Sequence, residues 1–185
     1  LSSTSGTGNA TVTVTAASDN TGAEMRTAVI TLEAPGNDNY NITVSQIPEI
    51  TPEAPSVGDG SAGNPYRIAN LANLYWLSQI TDLDILGRNF IQTADIDASA
   101  SAAFDDNKGF TPIGSVYSFT GSYNGKGHTI KGLAINRSDA SMVGLFAGTV
   151  MADIDSIGII DCSVFGNNNT GGLIGQATSG SVNSC

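Results

Sequence analysis

The sequence predicts an all-β chain: a right-handed parallel β-helix with one N-terminal capping helix, preceded by a small β-sheet segment. Three observations carry this expectation. "VGLFAGTVMADID" from Val143 is echoed by "GGLIGQATSGSVN" from Gly171, so that Gly172 follows Gly144 after 28 residues. The same shift carries Leu145 to Leu173, Phe146 to Ile174, Ile154 to Val182 and Ile157 to Cys185. Apolar residues falling on apolar residues are what stacked coils need, since equivalent positions lie about 4.8 Å apart and share one interior row. Near the N-terminus, three runs alternate apolar and polar residues with many β-branched side chains, the pattern of half-buried strands. Finally, Gly is abundant at 22 residues while aromatic residues make up only 6%, which suits short strands joined by many turns. The right-handed sense follows from the general preference of parallel crossovers.

The N-terminal strands are "ATVTVTAA", "RTAVITLEA" and "YNITVSQI", with Val12 and Val14, then Ala28, Ile30 and Leu32, then Ile42 and Val44 expected to face a core. Residues 48–65 hold Pro48, Pro52, Pro55 and Pro65 with Gly and acidic residues and no periodicity, and read as a semi-rigid linker. "YRIANLANLYWLSQI" is the one convincing helix. Asn70 is its N-cap, Leu71, Leu74, Tyr75 and Leu77 follow at helical spacing, and Trp76 lies nearby; its apolar side would cover the open end of a stacked sheet. From Asn89 onward short strands alternate with Gly turns over 66–185, the β-helix unit.

Two family resemblances refine this picture. "SGTGNATVTVTA", the Arg26–Thr31 strand and the closing "ITVSQ" resemble the second half of a BACON domain, which implies a partial immunoglobulin-like β-sandwich over residues 1–47. Between Gly58 and Cys185, "GDGSAGNPYRI", "LANLYWLSQ", "FIQTADIDAS", "FTPIGS", "FTGSYNGKGHTIKGLAI", "VGLFAG" and "GGLIGQ" resemble, in order, the GLUG-motif β-helices of Bacteroidetes-type bacterial surface proteins. That resemblance implies a pectin-lyase-like parallel β-helix, a secreted or surface-anchored location and no shared catalytic activity. The chain begins at Leu1 without an initiator Met or signal peptide and ends at Cys185 inside a storey, which reads as a C-terminally truncated piece of a longer protein. Its open ends lead to the expectation of weak end-to-end self-association.

Seventeen acidic residues against seven Lys and Arg give a formal charge of -10, a field that repels phosphate backbones, so no nucleic-acid partner is expected. No transmembrane segment is expected either, because no run approaches the roughly 20 apolar residues of a spanning helix. Cys162 and Cys185 are too few for a disulfide framework and read as small core residues, with a disulfide between storeys as the alternative.

Candidate chemistry is sparse. Asp153 and Asp155 flank Ile154 and project outward together, about 6.6 Å apart, a separation at which paired carboxylates hydrolyse glycosides. The 28-residue shift places Ser181 and Asn183 in the next storey, as on an ordinary solvated face. Enzymes of this fold that cleave acidic polysaccharides need cations and a base, yet from residue 138 to 185 there is no Lys, Arg or His. Asp95 and Asp97, with Asp105 and Asp106 nearby, are the candidates for a calcium site, although their spacing fits no EF-hand loop. His128, in "NGKGHTI", is assigned to turn stabilisation. Phe119 and Tyr123 are expected inside, leaving Tyr117 free to stack on sugar rings.

The resulting expectation is a non-enzymatic extracellular or cell-surface bacterial module for adhesion, with glycans or a host or neighbouring-cell surface as partner. Tyr117, Asp153 and Asp155 are its ligand-binding candidates, and no cofactor beyond calcium is implied. The alternatives are a fragment of a polysaccharide-degrading β-helix lyase or glycosidase, and a purely structural stalk.

Overall fold

The computed structural model describes residues 13–18, 20, 25–33, 38–47 and 49–185. These fall into two compact units, 1–49 and 50–185. In the first, β1 (Arg26–Leu32) and β2 (Tyr40–Gln46) pair antiparallel. Their register sets Ala28 against Val44, Ile30 against Ile42 and Leu32 against Tyr40, so the expected apolar residues do share one row. That row is not a core. Leu32 and Ile42 are exposed and Ile30 and Val44 only half-buried, since the two strands among the described residues cannot cover a sheet face. Val14 is exposed and residues 13–16 form no strand; Val12 lies outside the described residues.

The second unit is a parallel β-solenoid. β3 (Tyr66–Ile68), β4 (Asn89–Gln92), β6 (Ser122–Asn124), β9 (Phe146–Asp155) and β12 (Ile174–Asn183) form its first sheet. β5 (Ile96–Asp97), β7 (Thr129–Lys131) and β10 (Gly158–Ile160) form the second, and β8 (Ala134–Arg137) and β11 (Ser163–Gly166) the third. Every strand pair here is parallel. β9 and β12 pair with Phe146 on Ile174 and Ile154 on Val182, the 28-residue shift read from the sequence.

Corners recur with the coil. Met151 and Ser179, and Ser156 and Ser184, share left-handed backbone at equivalent places in successive coils, with φ of 52° and 59°, and of 52° and 53°. Gly132 and Asp161 do the same between the second and third sheets, at 72° and 51°. An L-residue in this region carries a steric cost, so the path of the chain, rather than residue type, sets the bend.

Inside, Phe90, Tyr123 and Ile154 form one buried row in register. Phe119 stands between Phe90 and Phe146 at ring separations of 5.8 and 5.1 Å. The buried Gln92, in register with Ile68, donates to the carbonyls of Ala94 and Thr129 and accepts from Tyr123 Oη at 3.2 Å, so both ends of its amide have partners. Burial pushes the Tyr123 hydroxyl far above the usual tyrosine range.

α1 (Leu71–Ser78) begins at Asn70, whose side chain accepts from the Asn73 N–H at 2.9 Å, and it buries Leu71, Leu74 and Leu77. Residues 50–65, read as linker, belong to the solenoid unit. The Glu53 N–H donates to Ala72 O and the Asn73 amide to Glu53 O, while Asn89 caps Gly60 O from its backbone and side chain. Prolines extend this segment, but its polar backbone is satisfied by the coil beside it. Among the described residues no helix is long and apolar enough to cross a membrane.

Cys162 and Cys185 are free and exposed, not core. Cys162 lies on the turn between β10 and β11, both edge strands of their sheets, and Cys185 follows the edge strand β12, so among the described residues no further strand covers either.

Candidate functional site

The outward side of the first sheet carries two polar rows. Along β9, Ala152 and Ile154 point inward, which turns Asp153 and Asp155 outward. Register places Asp153 between Ser122 and Ser181, and Asp155 between Asn124 and Asn183. Ser181 Oγ donates to Asp153 Oδ1 at 2.7 Å, and the Asn124 amide donates to Asp155 Oδ2 at 3.0 Å. Further along the first row, Ser122 Oγ donates to Asn89 Oδ1 at 2.8 Å. Each carboxylate therefore sits among neutral hydroxyl and amide groups, a surface rich in both donors and acceptors. The register gives neither a cationic neighbour across the strands.

Tyr117 lies elsewhere. Ile113 bridges to Phe146 and Phe119 to Thr149, so residues 114–118 loop out of the coil beside the start of β9. Gly114, with φ of 76°, makes the turn. Tyr117 is 49% exposed, while Phe119 and Tyr123 are fully buried. Val150, left-handed Met151 and Ala152 lie between Thr149 and Asp153, so the Tyr117 loop meets β9 at its start and the two carboxylates lie at its end.

Asp95 and Asp97 sit at the second sheet. Asp95 Oδ1 accepts from the Thr129 N–H at 2.8 Å and from Thr129 Oγ1 at 3.2 Å, and His128 Nδ1 lies 3.5 Å away. The Thr129 N–H, with the hydroxyl and His128 behind it, holds the Asp95 carboxyl below the usual carboxylate range. Asp97 accepts from the Ser99 N–H at 2.9 Å, and hydrogen bonding by Ser99 lowers it likewise. Asp105 instead pairs with Arg137. Among the described residues no three His, Cys, Asp or Glu side chains come together as a metal-ligand set. Asp95 is engaged by Thr129 of the neighbouring coil and Asp97 by Ser99 two residues on.

The third sheet holds a feature that motif reading missed. A surface cleft of about 340 Å³ lies between the 102–109 segment and β8 and β11, with Asn107, Gly109, Asn136, Ser163 and Phe165 in its lining. Phe165 is 60% exposed. The alternation of "SVFG" turns Val164 inward and Phe165 outward, a signal legible in the sequence, but nothing in that stretch tells of the facing wall.

Comparison with known proteins bears on the first unit most directly. Residues 1–46 match the BACON family model, described as a putative binding domain, N-terminal. The BACON match covers the unit that contains β1 and β2. Over 129 residues, 65% of the chain, the sequence is 39% identical to halomucin of Haloquadratum walsbyi. Over 90 residues, 48% of the chain, it is 36% identical to a putative Gly-rich membrane protein of Evansella cellulosilytica. The chain spans about 1% of the length of the first relative and 10% of the second. No solved structure matches the chain.

Proposed function

We propose that the chain is a non-enzymatic, extracellular or cell-surface module for adhesion or glycan binding. The observation that carries this is the setting of Asp153 and Asp155: two outward carboxylates held by Ser181 and Asn124 among neutral partners in a parallel sheet. Such rows offer many fixed donors and acceptors to a polyhydroxylated ligand, but no adjacent cation to stabilise the negative charge that a lyase step develops on an acidic polysaccharide. The BACON match, described as a putative binding domain, supports recognition as the role of the first unit. In the same proposal the solenoid is of the GLUG-motif, right-handed, pectin-lyase-like type found in bacterial surface proteins, with α1 covering its N-terminal end. Glycan-array and immobilised-mucin binding of the 185-residue chain tests the proposal. Saturable retention is expected; no retention by a chain that circular dichroism shows to be folded overturns it.

A further inference from the structure

We infer that the cleft between the 102–109 segment and the third sheet is a site for a neutral sugar ring, with Phe165 as its stacking platform. The inference rests on the glycan-binding proposal and adds a site on the third sheet, apart from the Asp153 and Asp155 rows of the first. The register of β8 and β11 sets Asn136 beside Phe165 and Ala134 beside Ser163 on the outward side, since Ile135 between them is buried. Of the aromatic side chains in the solenoid unit, only Phe165 and Tyr117 are exposed, and Phe165 lines the cleft. The volume lies at the small end of ligand pockets, about 300–1,000 Å³, a fit for a mono- or disaccharide.

The lining chemistry narrows the ligand. Ala102, Asn107, Gly109, Asn136, Ser163 and Phe165 include no ionisable group, so nothing there offsets a charge on the ligand. Within a chain of formal charge -10, an anionic sugar would be repelled. What remains is an apolar floor with one ring, two side-chain amides and one hydroxyl. A pyranose has the complementary surface: a C–H face to lie on the ring and hydroxyls to bond the amides. Among the described residues no hydrogen bond within the protein engages the side chains of Asn107, Asn136 or Ser163.

The wall is built rather than incidental. Asp105, Asp106 and Asn107 are successive left-handed residues with φ of 48°, 52° and 66°, followed by Gly109 at 83°. Such residues persist only where the surroundings hold them. Here the surroundings are identifiable. Arg137 Nη2 lies 2.9 Å from Asp105 Oδ2, and the same guanidinium donates to Gly109 O, Phe110 O and Thr111 Oγ1. The Asn136 N–H donates to Lys108 O at 2.7 Å and the Phe110 N–H to Ala134 O at 2.8 Å. A wall fixed in advance loses little entropy when a ligand arrives.

The test follows backbone amide NMR shifts of the full 185-residue chain during titration with galactose, glucose, mannose, N-acetylglucosamine, lactose and galacturonic acid. At least one neutral sugar is expected to shift the amides of Asn107, Gly109, Asn136 and Phe165, with galacturonic acid weaker. Phe165→Ala should weaken that binding about tenfold, Phe165→Trp should retain it, and Tyr117→Ala should leave it unchanged. Sugar-induced shifts confined to residues around Tyr117 or Asp153, untouched by Phe165→Ala, would overturn the cleft site while leaving glycan binding standing. Preference for galacturonic acid at the cleft would overturn the neutral-ligand assignment. No shift with any sugar, from a chain that also fails on the glycan array, would overturn both.

Discussion

Tyr123 and Gln92, thirty-one residues apart in sequence, meet in the buried interior with Tyr123 Oη 3.2 Å from Gln92 Oε1. This hydroxyl is the donor that satisfies the inward amide oxygen, so Tyr123→Phe leaves a buried acceptor unpaired. We expect a loss of about 1–3 kcal/mol, a fall in melting temperature of roughly 2–4 °C per kcal/mol for a chain of this size. Tyr117→Phe, on an exposed loop, should change nothing measurable by thermal or urea unfolding.

Backbone handedness gives a prediction of opposite sign. Met151 is 72% exposed and holds φ of 52° in the interior of β9. Left-handed backbone costs an L-residue about 1–2 kcal/mol, while glycine adds back about 0.5–1 kcal/mol of chain entropy. Met151→Gly should therefore stabilise the solenoid slightly, by up to about 1 kcal/mol in urea titration. Gly109→Ala should do the reverse and cost about 2 kcal/mol or more, because a Cβ there would lie 2.3 Å from Ala134 O with φ already at 83°.

Acid should weaken the contact between coils that Asp95 makes with Thr129 and the turn that Asp97 closes with Ser99. Both carboxylates are held below their ordinary range in the folded chain, by Thr129 and by Ser99. The folded state then binds fewer protons than the unfolded one around the ordinary value of about 3.9. The contribution is complete above that value and is lost as pH falls through the lower, folded value. Melting temperature measured from pH 6 downward should fall on the acid side, and Asp95→Asn should flatten that fall.

The coil register was legible in the sequence because it is carried by apolar rows: Phe146 over Ile174 and Ile154 over Val182 announce the shift that the strands adopt. The Asn70 cap was legible for a local reason, a side chain three residues from the N–H it accepts. Exposure was less so. Cys162 follows Asp161 as buried Leu133 follows Gly132, yet it lies beside edge strands, and what covers a row is decided beyond the segment that forms it. The cleft was illegible because its walls come from the 102–109 segment, β8 and β11, joined by Arg137 reaching back to Asp105. No spacing rule encodes three consecutive left-handed residues at Asp105, Asp106 and Asn107.

The central claim is recognition without turnover. It is tested most directly by incubating the chain with immobilised mucin glycans, pectin and alginate, then measuring bound protein and, by mass spectrometry of the supernatant, released oligosaccharide. The account predicts saturable retention on at least one of these and no oligosaccharide above the protein-free control. Time-dependent release that Asp153→Asn or Asp155→Asn abolishes would contradict it and assign those carboxylates to hydrolysis.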